Sequence, residues 1–345
     1  MTASIAALET ALPLLVPRTG PTFRSAQELR LVLRTASTRI SAADLSQLDR
    51  VLRLDAGAGL VEAQAGVTWQ SLCSYLQARA VPGADLLAQT ADLAGLPGTL
   101  GDCVGRNIAA PDGSPFCLLV EALAIVTADG ELRRTSRASQ PELFGAAIGS
   151  HGLIGAMYSV TLRVAALTQA FVDATPPVVL DSASTQSPQD RTHARIRLQL
   201  MVPPARLEAF LCDLRRQFDD LRLPIARLSV RKALPEGETL LRWASEELAL
   251  IDVAFADRGT LPSRIAATQL RRNLIGLALE HGGRFDLTTG LDASREQVES
   301  GYPMFSAFLA EKRRYDPQER LDGGLYRHYR ALFRRQPCEV RWAAA

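Results

Sequence analysis

Two glycine-rich stretches are the part of this sequence best suited to chemistry. "PGTLGDCVGRN" covers residues 97–107, and "IGSHGLIGA" covers residues 148–156. Glycine lets a backbone come close to a ligand and turn several N–H groups toward one point, which is what binding a phosphate requires. Because glycine also serves ordinary turns, the residues alone leave two readings open: a cofactor cradle formed by both stretches, or two plain turns.

Other reactive side chains are scattered along the chain. His151 could face a ligand, but a solvated loop histidine is the simpler reading, and Cys103 reads as a small buried thiol. "IGSHG" resembles the nucleophile elbow of hydrolases, but Ile148 stands where the first glycine is needed, which disfavours a hydrolase. Three tyrosines could act as acid or base near a substrate, although each reads first as a packing residue: Tyr302, Tyr315 and Tyr326.

The composition argues against several other functions. The formal net charge of the 345 residues is +2, which gives no bias toward nucleic acid or an anionic membrane. Five scattered cysteines without a CxxC pair favour neither a disulfide framework nor a metal site, and they suit a reducing compartment. The N-terminal segment lacks the basic start of a signal peptide, and no apolar run is long enough to span a bilayer. We therefore expect a cytoplasmic protein that acts on a small molecule, with a protein partner left open.

Local patterns predict the elements that position the two glycine stretches. Residues 51–64 alternate as a β-hairpin, and "LLVEALAIVTADGELRRTS" predicts a second hairpin with its turn at Asp129-Gly130. Ser139 and Glu142 predict a capping box at the start of the helix "ELFGAAI". "MYSVTLRVA" then alternates as a strand, so each glycine stretch lies beside predicted regular structure.

The second half has a different texture. "DATPPVVLDSASTQSPQDRTH" predicts a linker or long loop. Beyond it, strand and helix patterns follow in the order β-α-β, β-α-β, which is typical of a split βαβ sheet with helices on one face. The tail contains a predicted helix, "YPMFSAFLAEKRRY".

Several motifs in this order resemble a known family: "LVEAQAGVTWQSL", "PGTLGDCVGRNIA", "VEALAIVTADGELRR", "ELFGAAIGSHGLIGAMYSVTLRV" and "KRRYDP". They are similar to the PCMH-type FAD-binding proteins of the vanillyl-alcohol oxidase superfamily, and most of all to sugar and polyol oxidoreductases such as decaprenylphosphoryl-β-D-ribose 2-oxidase and alditol oxidase. The resemblance implies an α+β fold with an FAD-binding domain over residues 1–168. It also implies a substrate or cap domain over 169–300 with an antiparallel sheet and helices, and a segment over 301–345 that returns to the first domain.

The resemblance also implies roles for individual residues. The positions that fall on the two cofactor loops are Gly98, Thr99, Leu100, Gly101, Asp102, Asn107, Ile108, Gly149, Gly152, Leu153 and Gly155. The resemblance implies that Arg314 would stabilise negative charge on the flavin. Tyr302 and Tyr315 are the further catalytic candidates, and a tyrosine or a water molecule would take the hydroxyl proton.

Four departures bear on the cofactor. "ASTRISAADLSQLDR" has neither glycine nor histidine where the family carries its first pyrophosphate loop, so any FAD is non-covalent there and the chain reads as truncated in this loop. Asp102 replaces a glycine, and a carboxylate 4 Å from a phosphate costs roughly 4 kcal/mol at a partly buried site. "AAPDGSPF" is shorter than its family counterpart, and Arg314 stands where the closest relatives have a lysine.

These features leave two hypotheses. The first is an FAD-dependent oxidoreductase that oxidises a hydroxyl-bearing carbon of a sugar, polyol or related small molecule by hydride transfer to the flavin. The second is a degenerate member of the fold that binds FAD weakly or not at all and acts as a partner or binding protein.

Overall fold

Two five-stranded antiparallel sheets organise the chain. The structure is a computed structural model, and it describes residues 21–35, 39–40, 44–91, 98–182, 194–257 and 260–333. The N-terminal part of the predicted first domain, Pro97 and Cys338 lie outside these ranges. Within them, no helix is both long and apolar enough to cross a membrane.

The first sheet has the strand order β1-β2-β5-β3-β4. Its strands are β1 Val51–Asp55, β2 Leu60–Gln64, β3 Val120–Val126, β4 Leu132–Ser136 and β5 Ala156–Arg163. Both predicted hairpins are confirmed, since β1 pairs with β2 and β3 pairs with β4 in antiparallel register. Gly130 takes a φ of 80°, the left-handed conformation that this turn needs.

Six α-helices of the described residues accompany this sheet. They are α1 Ala26–Thr35, α2 Trp69–Gln77, α3 Ala84–Ala91, α4 Leu100–Arg106, α5 Pro141–Ala147 and α6 Val164–Val172. Helix α4 corrects the expectation that residues 97–107 form an open loop, because most of this stretch is helical. Helix α5 begins after Gln140, which caps it without a side-chain hydrogen bond, so the predicted capping box from Ser139 is wrong.

The second sheet has the order β10-β7-β9-β8-β6. Its strands are β6 Val178–Ser182, β7 Ala194–Val202, β8 Ile225–Ala233, β9 Leu248–Asp257 and β10 Arg284–Phe285. Helix α7 (Leu207–Asp220) follows β7, and helix α8 (Leu261–Glu280) follows β9, which confirms the predicted split βαβ pattern. Phe210, Leu214 and Phe218 recur every four residues on α7 and are all buried. Strand β6 falls in the stretch predicted as linker and pairs with β8 at the sheet edge.

The C-terminal helices follow the second sheet and lead the chain back to the first sheet. They are α9 Arg295–Gly301, α10 Phe305–Tyr315 and α11 Gly324–Phe333, so the helix predicted from Tyr302 begins three residues later. After α10, Leu321 forms a parallel bridge with Ile40 next to the first sheet. Lys312 and Asp316 are both fully buried and form an ion pair, and Asp316 also accepts the backbone N–H groups of Arg320 and Leu321. The tail is therefore fastened to the N-terminal half by this turn.

The mixture of helices and antiparallel sheets confirms the predicted α+β class.

Candidate functional site

Helix α4 forms one wall of the candidate site, and neighbouring backbone holds its first turn. Thr99 caps the helix, and its hydroxyl accepts the Asp102 N–H at 3.3 Å. The Leu100 N–H donates to the Val67 carbonyl at 3.0 Å, and the Gly101 N–H donates to the Ala65 carbonyl at 2.8 Å. These bonds use the backbone donors that a helix N-terminus would otherwise offer to a phosphate.

Glycine is needed at position 101 for a steric reason. A Cβ there would lie 2.9 Å from both the Cβ and the carbonyl oxygen of Ala65, which is closer than real side chains approach. A Cβ at Gly98 would meet nothing within 4 Å. Gly105 is also unhindered, because the nearest atom to a Cβ there would be the His151 Cα at 4.0 Å, so of the three glycines of the first stretch only Gly101 is fixed by packing.

The second glycine stretch forms a turn that packs on the end of α4. Gly149, His151 and Gly152 all have positive φ, at 74°, 54° and 77°. The Gly149 N–H donates to the Val104 carbonyl at 3.1 Å, and the His151 N–H donates to the Gly105 carbonyl at 2.8 Å. The two stretches predicted to cooperate are therefore in direct contact, and two N–H groups of the second stretch donate to backbone carbonyls of the first.

Leu153 and Gly155 complete this turn, and neither lines the small cavity that lies between α4 and the second sheet. Leu153 is buried in the core, and a Cβ on Gly155 would lie 2.9 Å from the Val126 carbonyl oxygen. Gly155 is therefore required where the turn enters β5 beside β3.

Asn107 caps the C-terminal end of α4, and both its backbone and its side chain are tightly constrained. It has a left-handed φ of 45° and is 1% exposed. Its side-chain oxygen accepts the Cys117 N–H at 2.9 Å, and its backbone carbonyl accepts the indole N–H of Trp243 at 2.7 Å. Its side-chain nitrogen is buried and has no partner at hydrogen-bond distance among the described residues, although the side chain lies near enough to the Cys117 thiol to oppose the rise in that group's pKa. A buried amide donor without a partner is costly, and such groups mark places where a ligand can bind.

A small cavity lies between this wall and the second sheet. Its volume is about 30 Å³, and Asn107, Ile108, Gly149, Tyr302 and Trp243 are among the residues that line it. This is the space of about one water molecule. The structure thus brings one catalytic candidate, Tyr302, to three of the predicted cofactor-loop residues.

Tyr302 is buried, and its phenol donates a hydrogen bond to the Phe285 carbonyl. Burial raises the pKa of Tyr302 well above its ordinary value, and Asp286 acts in the same direction. The phenol therefore keeps its proton at neutral pH and can donate, but it cannot serve as a base.

His151 also lies beside this cavity, between helix α4 and the second sheet. Desolvation lowers the pKa of His151 to about 4, with Arg106 acting in the same direction and Asp286 and Asp102 opposing it. The imidazole is therefore neutral at pH 7. His151 is half-buried and lines the cavity, so the expected solvated loop histidine is only partly exposed to solvent.

Arg314 and Tyr315 lie at a different cavity. It measures about 730 Å³ and is bounded by the turn of the second hairpin, the start of α5 and the end of α10. The Arg314 side chain is 59% exposed and pairs with Glu142 and Glu311 at 3.5 and 3.4 Å. The structure does not bring these two catalytic candidates to the cavity that Tyr302 lines.

Two residues beside the small cavity could not be identified as site residues from the sequence. Trp243 comes from the connection between β8 and β9 and is 8% exposed. Arg231, on β8, donates to the Ala109 carbonyl at 3.3 Å, and burial lowers the pKa of its guanidinium. Both contact the backbone that continues α4, and only the packing of the second sheet brings them there.

One comparison with known proteins bears on this site. Residues 22–136, about a third of the chain, match the family model of an FAD binding domain. The match indicates FAD binding. Together with the two antiparallel sheets and their helices, it agrees with the predicted two-domain PCMH-type fold. No curated protein matches the chain.

The residues described around this FAD-binding domain do not fit the flavin ring as they are placed here. A cavity of about 30 Å³ is many times smaller than a tricyclic ring system, and Trp243 is bonded to the wall beside it. The first-turn N–H groups of α4 are already bonded within the protein. The unpartnered amide of Asn107 is the group that suits a hydrogen-bond acceptor on a ligand.

Proposed function

We propose that this chain is an FAD-dependent oxidoreductase that oxidises a hydroxyl-bearing carbon of a sugar, polyol or related small molecule. The family match supports the flavin-dependent class. The finer assignment, including the likeness to decaprenylphosphoryl-ribose 2-oxidase and alditol oxidase, rests on the sequence motifs. Flavins accept hydride in reactions of this class, while the protein binds and orients the reactants.

The observation that carries the proposal is the Asn107 side-chain amide. It is buried without a partner, on the wall that the FAD-binding domain presents to the second sheet. With FAD at this wall, the amide would hold an acceptor on the cofactor, and protonated Tyr302 and neutral His151 would border the substrate, in a space wider than the present 30 Å³ cavity. The second sheet and its helices form the substrate side, consistent with a cap domain over residues 169–300. Arg314 and Tyr315 stay candidates for catalysis only if a ligand extends to the larger cavity.

The test is direct binding of FAD. We expect the purified protein to be yellow, or to quench the fluorescence of added FAD, and Asn107→Asp to weaken binding at least tenfold. Aspartate tolerates the left-handed backbone but loses the amide donor. Gln64→Glu is a matched control, because Gln64 also has a buried unpartnered amide nitrogen but does not line the cavity. A folded, colourless protein that leaves excess FAD unquenched would refute the proposal.

Reaction class is tested on the FAD-loaded protein. We expect a panel of sugars and polyols to contain a compound that bleaches the flavin absorbance under anaerobic conditions. A carboxylate panel of equal size serves as the comparison, and bleaching by carboxylates alone would contradict the hydroxyl assignment.

A second candidate is a degenerate member of the fold that binds FAD weakly or not at all and serves as a partner or binding protein. The family match does not favour it, and the one observation on its side is that the first-turn N–H groups of α4 are bonded to Ala65, Val67 and Thr99. This candidate predicts that saturating FAD leaves the unfolding temperature unchanged, whereas a ligand that binds the folded state raises it.

A further inference from the structure

The connection between β8 and β9 is longer than the sheet requires. Antiparallel neighbours can be joined by a two-residue turn, but here residues 234–247, which we call the strap, lie between them without regular secondary structure. An irregular segment of this length inside a compact structure usually has a function. Its buried residues include Leu241, Trp243 and Ala244, so the strap is packed against the protein.

The strap is attached to the FAD-binding half at several points. Its Leu234 N–H donates to the Gly113 carbonyl at 2.7 Å, and its Leu240 N–H donates to the Gly145 carbonyl at 3.0 Å. Gly145 has no space for a side chain, because a Cβ there would lie 2.4 Å from the Glu238 carbonyl oxygen. The strap therefore covers both the segment that follows the α4 wall and helix α5.

Arg137, which follows strand β4 of the first sheet, binds the strap at Glu238. The Arg137 guanidinium forms two hydrogen bonds to the Glu238 carboxylate, at 3.0 and 2.7 Å. The same guanidinium donates to the carbonyls of Val120 and Cys117 at 2.6 and 2.9 Å. These two bonds fix its position independently of the strap. Such a two-pronged, charge-assisted contact fixes orientation as well as supplying energy.

The strap also holds its own shape. The Glu236 carboxylate accepts the N–H groups of Glu238 and Thr239 at 2.7 and 2.9 Å, and the Glu236 N–H donates to the Ala244 carbonyl at 3.0 Å. Arg284 donates to the Arg242 carbonyl at 2.7 Å and so ties the strap to β10. Because these bonds lie within the second half, they can persist when the contacts to the first half break.

Trp243 forms the hydrogen bond that joins the strap to the α4 wall. Its indole N–H is bonded to the Asn107 carbonyl, and both residues line the 30 Å³ cavity where a flavin ring has no room. We propose that the strap is a gate over the cofactor wall, which FAD must displace in order to bind, so that strap closure and FAD binding compete. This inference rests on the proposed function, because it takes FAD as the ligand of the wall.

Competition predicts that weakening closure tightens FAD binding. The apparent dissociation constant equals the intrinsic one divided by the fraction of open protein. Losing the single hydrogen bond in Trp243→Phe should tighten FAD binding about fivefold. Losing the partly exposed Arg137 contact in Glu238→Gln should tighten it about two- to fivefold.

Glu247→Gln is the matched control for Glu238→Gln. Glu247 ends the strap and pairs at 3.4 Å with Lys232 of the same half, so its loss leaves the contacts to the wall intact. FAD affinity is measured by fluorescence quenching, and hydrogen exchange of residues 234–247 is followed with and without FAD. We expect tighter binding in Trp243→Phe and Glu238→Gln, no change in Glu247→Gln, and faster strap exchange when FAD is bound.

The outcomes separate the two proposals. If the wild type binds FAD and both strap variants bind it with unchanged affinity, the gate is overturned while the proposed function stands. If folded wild type and all variants leave FAD unbound at large excess, the proposed function fails and the gate fails with it. Slower strap exchange on adding FAD would also contradict competition, because FAD would then close the strap.

Discussion

Acidification should destabilise this protein through His151 in a way that a single substitution removes. His151 lies between α4 and the second sheet, where Asp102 and Arg106 act on it from one side and Asp286 from the other. Its pKa is lowered from 6.5 to about 4. Between these values the unfolded chain binds a proton that the folded protein does not, so stability falls as pH drops through this window.

The magnitude follows from the lowered pKa. At pH 5 the unfolded imidazole is almost fully protonated, one and a half pH units below its pKa, while the folded imidazole is still mostly neutral. At about 1.4 kcal/mol per pH unit, His151 should account for a loss of about 2 kcal/mol between pH 7.5 and pH 5. Below about pH 4 both states are protonated, and the contribution of His151 levels off.

The assay is urea unfolding of wild type and His151→Asn at pH 7.5 and pH 5. Asparagine does not titrate and tolerates the φ of 54° at this position. Other carboxylates titrate in both proteins, so the informative quantity is the difference between the two stabilities. We expect this difference to shift by about 2 kcal/mol in favour of the variant at pH 5. An equal loss of stability in both proteins would refute the claim that His151 is desolvated in this contact.

Two further predictions concern the wall and the tail. Gly101→Ala should destabilise the fold by about 1–3 kcal/mol through contact with Ala65, whereas Gly98→Ala, with open space around it, should stay within about 0.5 kcal/mol of wild type in the same denaturation experiment. Asp316→Asn should cost about 3–5 kcal/mol, because it leaves the fully buried Lys312 ammonium without its counter-charge. A Gly101→Ala protein as stable as Gly98→Ala, or an Asp316→Asn protein with wild-type stability, would contradict these contacts.

Sequence reasoning succeeded where the determining forces are local. Both hairpins of the first sheet follow from alternating hydrophobicity and from the Asp129-Gly130 turn. Helices α7 and α8 follow from apolar spacing at three and four residues. The stretch at 97–107 misled, because three glycines and an aspartate suggest a loop, whereas Thr99 caps a short helix there.

Site residues were predicted unevenly for a related reason. The sequence predicts Asn107 and Gly149 as site residues because they lie in glycine-rich motifs, and Tyr302 because of its place in the tail. Arg314 was selected with Tyr302, yet it lies at another cavity, since the turn around Asp316 carries it there. Nothing in the strap sequence identified Trp243, because its role depends on a hydrogen bond across 136 residues of chain.

The sequence by itself determined the α+β class, the two hairpins, the split βαβ order and the FAD-type motifs, because each depends on periodicity, turn residues or short motifs that neighbouring residues define. Only the tertiary structure decided that the second glycine stretch donates to backbone carbonyls of the first, that His151 is desolvated, and that the strap lies over the α4 wall. These features depend on which surfaces meet when two separately patterned halves pack together. That choice is made by shape and by buried polar contacts between residues far apart in the chain, such as Trp243 with Asn107 and Arg137 with Glu238.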